Sequence, residues 1–168
     1  TYRTVGDAIW QEKIVSDPDC AARIDNVWNI SLTVFVSSGQ DAEVRLYDAM
    51  DGKVLARQRP SKAWTTQVTF SPDGSQLASA AGRQISLWNE RLELQHELPP
   101  LEGAIAALAF DKSGRDLAAA INGGIVVHRL EAPRYPVRHY RWTAPCVTAN
   151  FSGNGKFLAA GTQDGSVH

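Results

Sequence analysis

A repeated pattern with a period of 40 to 42 residues constrains this chain more than any other feature of its sequence. In each copy a phenylalanine precedes a polar turn that contains glycine, and a leucine follows the phenylalanine by seven residues. Three copies open at Phe70, Phe110 and Phe151, and a weaker copy opens at Trp28. Copies at such regular spacing predict an array of one small structural unit, rather than one core with a single active site.

Each copy of the pattern indicates four short strands. In the copy that opens at Phe70, strands are expected near residues 67–70, 77–81, 84–88 and 92–98, because these runs are short, apolar and bounded by turn residues. Pairs such as Asp73-Gly74 suit tight turns, since glycine takes a positive φ without steric cost. Four antiparallel strands per period are the layout of a propeller blade. The predicted fold is therefore all-β, with about three to four blades of four antiparallel strands.

Four stretches of the chain resemble the WD-repeat β-propeller family. The family's Gly-His pair ahead of each blade is absent, and its closing Trp-Asp pair occurs only in degenerate forms such as Trp88-Asn89 and His128-Arg129. The alanine-rich repeats are similar to those of bacterial WD-repeat arrays, and such arrays often form the C-terminal region of signalling proteins. The stretches that carry the resemblance are FSPDGSQLASAAGRQISLW (70–88), ALAFDKSGRDLAAA (107–120), ANFSGNGKFLAAGTQDGSVH (149–168) and SSGQDAEVRLYD (37–48).

The resemblance implies structural roles for residues at repeated positions. Asp164 matches the family's buried aspartate in the turn between the second and third strands, and Asp41 is a weaker match. We expect such an aspartate to cap backbone amides in its turn. Trp88 and Tyr47 are expected to lie as wedges between neighbouring blades. The aromatic residues that open the copies are expected to occupy equivalent buried sites: Trp28, Phe70, Phe110 and Phe151.

The repeats also predict how the chain is divided. Residues 1–15 resemble the outer strands of an incomplete blade, and with the last repeat they would close a small ring of four blades. WD-repeat rings typically have more blades, so a segment of a longer propeller is the preferred expectation. An open arc would expose apolar blade faces and is expected to self-associate. The blade-like repeats are expected at approximately 25–60, 64–100, 104–142 and 146–168.

The charge, cysteine content and hydrophobicity of the chain limit the partners and the cellular compartment that the sequence predicts. The formal net charge is −1, so no overall basic field favours nucleic acid or an anionic membrane surface. No apolar run approaches the roughly 20 residues that cross a bilayer. The two cysteines, Cys20 and Cys146, do not make a disulfide framework. These observations predict a cytoplasmic protein.

The sequence contains no pattern that predicts catalytic, metal-binding or cofactor-binding residues. The four histidines are scattered, and neither His-Glu-x-x-His nor Cys-x-x-Cys is present. The glycine-rich phosphate-binding patterns are also absent. Ser37-Ser38-Gly39 looks like a nucleophile motif, but the equivalent residues of the other copies are mostly alanines, with a glycine in the last copy, which favours a structural role. We therefore expect that the chain is not an enzyme.

Residues 133–142, PRYPVRHYRW, differ from the other repeats because they combine basic and aromatic side chains. Such side chains are enriched where proteins bind partners. The alternative is a solvated outer strand, in which arginine stems cover apolar surface. The predicted function is a protein-interaction scaffold or sensor. An enzymatic or small-ligand or glycan-binding propeller, with its site on the loops of one face, is the alternative. The candidate partner-contact residues are Arg134, Tyr135, Arg138, His139, Tyr140 and Arg141.

Overall fold

A computed structural model of the chain describes residues 24–29, 34–131 and 136–168, and for 24–29, 136 and 137 it describes the backbone alone. These residues form twelve strands and contain no helix, which confirms the prediction of an all-β fold. Residues 1–15, expected to supply outer strands, lie outside the described residues. The strands are β1 (Ile24–Asn29), β2 (Val34–Gly39), β3 (Val44–Asp48), β4 (Val54–Gln58), β5 (Thr65–Phe70), β6 (Gln76–Ala81), β7 (Gln84–Asn89), β8 (Leu94–Glu97), β9 (Ile105–Phe110), β10 (Asp116–Arg129), β11 (Pro136–Phe151) and β12 (Leu158–Thr162).

The first two blades are four-stranded antiparallel sheets in which the strands follow one another in chain order. β1 to β4 form the first blade and β5 to β8 form the second. In the second blade Phe70 pairs with Leu77, and Leu77 pairs with Trp88 on its other side. The phenylalanine and the leucine of the repeated pattern are therefore neighbours across two strands, which explains why the leucine follows at a spacing of seven residues.

The third sheet contains two long strands, and its order is β12-β11-β10-β9. β10 doubles back on itself, as shown by the backbone N–H of Leu130, which donates to the carbonyl oxygen of Arg115 at 2.8 Å. Gly123 and Gly124 have φ values of 97° and 145°, which let the chain reverse there. β10 thus supplies the second and third strands of the third blade. The third strand that the repeat predicts at 125–128 is the second half of β10, where Ile125 to His128 pair with β11.

The strand β11 passes from the third blade to the fourth. Residues 136–141 of β11 pair with β10 as the outer strand of the third blade, and Cys146 to Phe151 pair with β12 as the opening of the fourth. Beyond β12, His168 and Ala160 exchange two backbone hydrogen bonds of 2.9 and 3.0 Å. The strand predicted at 134–142 is thus continuous with the following one. Arg134 and Tyr135, at its start, lie outside the described residues.

The outer strand of the second blade is shorter than predicted. The sequence predicts a strand over 92–98, and β8 spans Leu94–Glu97. Leu92 has a φ of 61°, and its backbone N–H donates to the carbonyl oxygen of Asn89 at 3.0 Å. This turn takes Leu92 out of the strand, although its side chain is buried.

The core consists of layers of apolar side chains between successive blades. Between the first and second blades, Val36 and Leu46 pack with Phe70, Leu77 and Trp88. Alanines of the second strands lie in the layers on either side of the third blade, since these positions leave little room for larger side chains. The layer between the third and fourth blades contains Ala107, Ala118, Ala120, Ile125, Val127, Cys146, Ala149 and Ala160.

The opening strands of the blades lie side by side. β5 contacts β1 on one side and β9 on the other, and β9 also contacts β11. The turns between second and third strands therefore share one end of the blades with the segments that connect one blade to the next. We call this the connection end. It comprises the turns 40–43, 82–83, 122–124 and 163–165, and the connections 59–64, 99–104 and 142–145.

Candidate interaction surfaces

The outer strand of the third blade presents the predicted contact residues to solvent. Arg138, His139, Tyr140 and Arg141 are all exposed, and 43% of the Tyr140 surface is accessible. Residues 136–141 pair with β10 on one side. On the other side, no strand of the described residues pairs with them. Within the part of the chain that the structure describes, both faces and one edge of this strand are therefore exposed.

An ion pair ties this outer strand to the connection end. The Nη2 atom of Arg141 lies 3.3 Å from each carboxylate oxygen of Glu102. Both side chains are well exposed, so the pair contributes about 0–1 kcal/mol to stability. It positions the guanidinium of Arg141 more than it stabilises the fold.

An aromatic cavity lies beside the outer strand. Tyr140, Trp142, Phe157 and His168 border a space of about 270 Å³ between the third and fourth blades. The rings of Trp142 and His168 are stacked with their centroids 5.0 Å apart. Phe157 is 70% exposed at the rim. The sequence stretch 133–142 includes Trp142, but nothing in the sequence predicted that Phe157 and His168 would join it, because they belong to another repeat.

The wedge position of the three complete blades carries three different ring systems. In the second blade, the indole Nε1–H of Trp88 donates to Ser79 Oγ at 2.9 Å. In the first blade, the Ser37 hydroxyl donates to the Tyr47 hydroxyl at 3.2 Å. The Ser37 hydroxyl therefore makes a buried hydrogen bond, which agrees with the structural role expected for this residue.

The third blade lacks such a hydrogen bond at its wedge position. His128 stands where Trp88 stands in the second blade, and Ala119, which has no hydroxyl, stands where Ser79 does. His128 is 1% exposed, and among the described residues neither ring nitrogen has a hydrogen-bond partner. Burial lowers the pKa of His128, and the charge of His139 lowers it further.

The turn aspartates hold the backbone of their own turns. Asp164 accepts hydrogen bonds from the Thr162 hydroxyl at 2.6 Å and from the backbone N–H of Ser166 at 3.0 Å. These hydrogen bonds lower the pKa of Asp164. Asp41 accepts from the backbone N–H of Glu43 at 3.1 Å and forms an ion pair with Arg45. Asp164 is exposed, however, and not buried as the resemblance implies.

The phenylalanines that open the repeats differ in burial. Phe70 and Phe110 are 6% and 8% exposed, with Leu77 and Leu117 buried beside them. Phe151 is only half-buried, as is Leu158, its partner in the register. The side chain of Trp28 lies outside the described residues.

The described residues offer little for catalysis. Within 24–29, 34–131 and 136–168, no group of three or more histidine, cysteine, aspartate or glutamate side chains is placed to hold a metal ion. Burial raises the pKa of the Cys146 thiol, which donates to the carbonyl oxygen of Thr148 at 3.3 Å. A thiol of this kind is a poor nucleophile. The same part of the chain contains no helix that is long and apolar enough to cross a membrane.

The sequence analysis missed one exposed aromatic residue. Trp64, in the connection between the first and second blades, is 58% exposed. The sequence contained a signal for it, because Trp64 follows Arg59 and Lys62 in its connection, whereas the connection before β9, residues 99–104, contains no tryptophan.

Comparison with known proteins agrees with the repeat structure. Over 122 residues, 69% of this chain, the sequence is 29% identical to the Intraflagellar transport protein 80 homolog of Rattus norvegicus and equally to that of Mus musculus. Over 142 residues, 83% of this chain, it is 28% identical to the WD repeat-containing protein SL1-17 of Schistosoma mansoni. The aligned part is 15% of the intraflagellar transport proteins and 47% of SL1-17, so the chain spans less than half the length of these relatives.

Two stretches of the chain also match a described repeat family. Residues 52–89 include the fourth strand of the first blade and the first three strands of the second, and residues 135–168 run from the outer strand of the third blade into the fourth. The family that they match is described as WD domain, G-beta repeat (WD40). The chain therefore contains two WD40 repeats, within an all-β structure of four-stranded propeller blades.

Proposed function

We propose that this chain is a non-enzymatic protein-interaction module that uses the outer strand of its third blade as a contact surface. The observation that carries the proposal is the exposure of Arg138, His139, Tyr140 and Arg141 on a strand with one open edge. Arginine and tyrosine account for much of the binding energy in protein interfaces. Pro136 lacks an N–H and so blunts strand addition, which leaves side chains to dominate the contact.

The similar proteins support a scaffold role at a general level. Their names refer to WD repeats and to intraflagellar transport. Within the proposal, the module serves as a scaffold or sensor in a larger cytoplasmic signalling or transport protein. Because the chain spans 15% of the intraflagellar transport relatives, their own partners are not transferred to it.

A small-ligand or glycan site is the second candidate function. The aromatic cavity favours it, since the stacked rings of Trp142 and His168 stand beside Tyr140 in a space of about 270 Å³. Aromatic rings in a concave site are suited to apolar ligand faces. Binding of small ligands would be weakened by Trp142→Ala, whereas a protein contact on the outer strand would depend on Arg138 and Tyr140.

Site-specific photo-crosslinking tests the interaction proposal. A photoreactive phenylalanine analogue replaces Tyr140 in the full chain, and the matched control places it at Leu55, which is 52% exposed on the outer strand of the first blade. We expect the analogue at position 140 to crosslink the chain to a partner protein, and the analogue at position 55 to give no such crosslink.

The crosslinked protein is then purified and its affinity measured directly. The variant Arg138→Ala/Tyr140→Ala should keep its melting temperature, because both side chains are exposed. It should bind at least about 30-fold more weakly, which corresponds to the ~2 kcal/mol typical of a hot spot. Unchanged affinity would place the contact elsewhere, and an unfolded variant would show that the strand has a structural role only.

A further inference from the structure

We propose that the connection between the first and second blades is a separate docking surface, with Trp64 at its centre, for a short acidic peptide segment. The surface comprises Arg59, Lys62, Trp64 and Arg83. It lies at the connection end of the second blade and does not depend on the outer strand of the third blade.

The position of Trp64 is set by ordered backbone on both sides. Thr65 pairs with Ala81 in the sheet and is fully buried, so Trp64 lies directly beyond the end of the sheet, beside Gly82. A Cβ atom on Gly82 would lie 3.7 Å from the Cβ of Ala63. Ahead of Trp64, the backbone N–H of Ala63 donates to Ser61 Oγ at 3.0 Å. A backbone held in this way loses little conformational entropy on binding.

The fold does not require a tryptophan at this position. Trp64 precedes Phe70 by six residues, and the residues six before Phe110 and Phe151 are Ala104 and Pro145. Two other blades therefore open with a small side chain at the same place. Trp64 nevertheless exposes 58% of its surface to water, where an aromatic ring adds nothing to stability. An exposed tryptophan on a rigid connection is typical of a binding hot spot.

The charges around Trp64 are basic. Arg59, Lys62 and Arg83 are exposed. Nε of Arg83 donates to the carbonyl oxygen of Leu101 at 2.5 Å, which holds the guanidinium at the connection end. Arg59, whose side chain is exposed, lies 3.5 Å from a carboxylate oxygen of the partly buried Glu43. Glu43 also pairs with Arg45 and so keeps a partner when Arg59 binds an acidic ligand.

The basic character belongs to this connection and not to the repeats in general. In the next connection the residue equivalent to Lys62 is Glu102, which pairs with Arg141. A connection and adjacent turn that carry three cations and one exposed indole suit a peptide that combines carboxylates with an apolar side chain, through charge complementarity and burial of the ring.

A peptide fits this surface better than a nucleic acid does. Single strands of nucleic acid need an extended basic groove along their phosphates, with aromatic rings for successive bases. Here the basic residues occupy one connection and the adjacent turn, and the chain as a whole carries a net charge of −1. The acidic peptide is therefore the ligand that we assign.

Tryptophan indole NMR of the full chain tests the proposal with a synthetic peptide of alternating glutamate and leucine. The Trp64 resonance is assigned by its loss in Trp64→Ala, which should fold normally because the side chain is exposed. We expect the peptide to shift this resonance. Isothermal titration should show affinity reduced at least about tenfold by Trp64→Ala and by Lys62→Glu/Arg83→Glu. The affinity of the unsubstituted chain should also fall as the salt concentration rises, because salt screens its charge interactions with the peptide.

Matched controls separate this surface from general charge effects and from the outer strand. Lys112→Glu changes an exposed cation at the opposite end of the blades, and Arg138→Ala/Tyr140→Ala changes the other proposed surface. Both variants should bind the peptide normally. Equal binding of a glutamine–leucine peptide, normal binding by Trp64→Ala, or tighter binding of oligothymidylate than of the peptide would each overturn the proposal.

Discussion

At the scale of the residue, the third blade differs from the first two in its wedge position. The buried His128 there has no hydrogen-bond partner among the described residues. Trp88 and Tyr47 each have a serine hydroxyl within hydrogen-bond distance. In the third blade the repeat places Ala119, which has no hydroxyl, at the position of that serine. A buried imidazole is tolerated as long as it stays neutral, because burying a charge without a partner is costly. We therefore expect the stability of the third blade to depend on the protonation state of His128.

Stability is predicted to fall as the pH falls below the ordinary histidine pKa. The pKa of His128 is lowered in the folded chain from its ordinary value of 6.5, so the unfolded chain takes up the proton first. Stability should be greatest above about pH 6.5 and decrease progressively below it. Urea denaturation at about pH 7.5 and about pH 5.5 measures the difference.

Two substitutions identify His128 as the source of that pH dependence. His128→Leu should reduce the difference in unfolding free energy between the two pH values. His96→Leu, at an exposed histidine of β8, should leave that difference as it is in the unsubstituted chain. If His128→Leu retains the full difference, other titrating groups are responsible.

The burial of the repeated phenylalanines leads to a second prediction at this scale. Phe110→Ala should cost about 3–5 kcal/mol of unfolding free energy, because the ring is buried between the second and third blades. Phe151→Ala should cost less, since Phe151 is half-buried. Urea denaturation measures both. A cost below about 1 kcal/mol for Phe110→Ala would show that this ring contributes little to the core.

At the scale of the element, glycines decide where strands reverse and how closely they approach. The turn at 122–124 lets β10 supply two strands of the third blade and brings Gly124 against β11. A Cβ atom on Gly124 would lie 1.9 Å from the carbonyl oxygen of Tyr140. Gly74 also has a positive φ, but a Cβ atom there would meet nothing within 4 Å. Substitutions at these two glycines therefore distinguish the free-energy cost of a steric clash from the cost of a positive φ alone.

Gly124→Ala is predicted to destabilise the chain far more than Gly74→Ala. Gly74→Ala should cost about 1–2 kcal/mol, which is the cost of a left-handed conformation for a residue with a Cβ. Gly124→Ala should cost more than about 3 kcal/mol, because the backbone of β11 must move as well. Thermal and urea denaturation of both variants provide the comparison. Similar costs for the two would mean that β10 and β11 separate without penalty.

At the scale of the whole molecule, the arrangement of blades creates surfaces that no single repeat contains. The aromatic cavity joins Tyr140 and Trp142 of one blade to Phe157 and His168 of the next. The proposed docking surface combines a connection with a turn some twenty residues away. The two lie close together, since a Cβ atom on Gly82 would be 3.7 Å from the Cβ of Ala63. Surfaces of this kind arise from the stacking of blades, since residues far apart in sequence meet where neighbouring repeats pack.

Much of the architecture was predictable from local patterns. The period of Phe70, Phe110 and Phe151 predicted the all-β fold and the four-stranded blades, because strands of half-buried residues have a period of two and their turns need glycine. The exposed basic and aromatic residues of the outer strand were also found from composition. Whether that strand contacts a partner stays a prediction, as do the blade boundaries and the closure of the ring.

The sequence by itself determined the strands, their order within a blade and the residues that open each repeat, because these depend on interactions between near neighbours in the chain. Only the tertiary structure decided which repeated positions are buried. Phe110 and Phe151 occupy the same place in the pattern, yet only Phe110 is fully buried, and Trp64 is exposed where its counterparts are small. Burial depends on the blade that packs opposite, and the residues of that blade lie about one repeat away in the sequence.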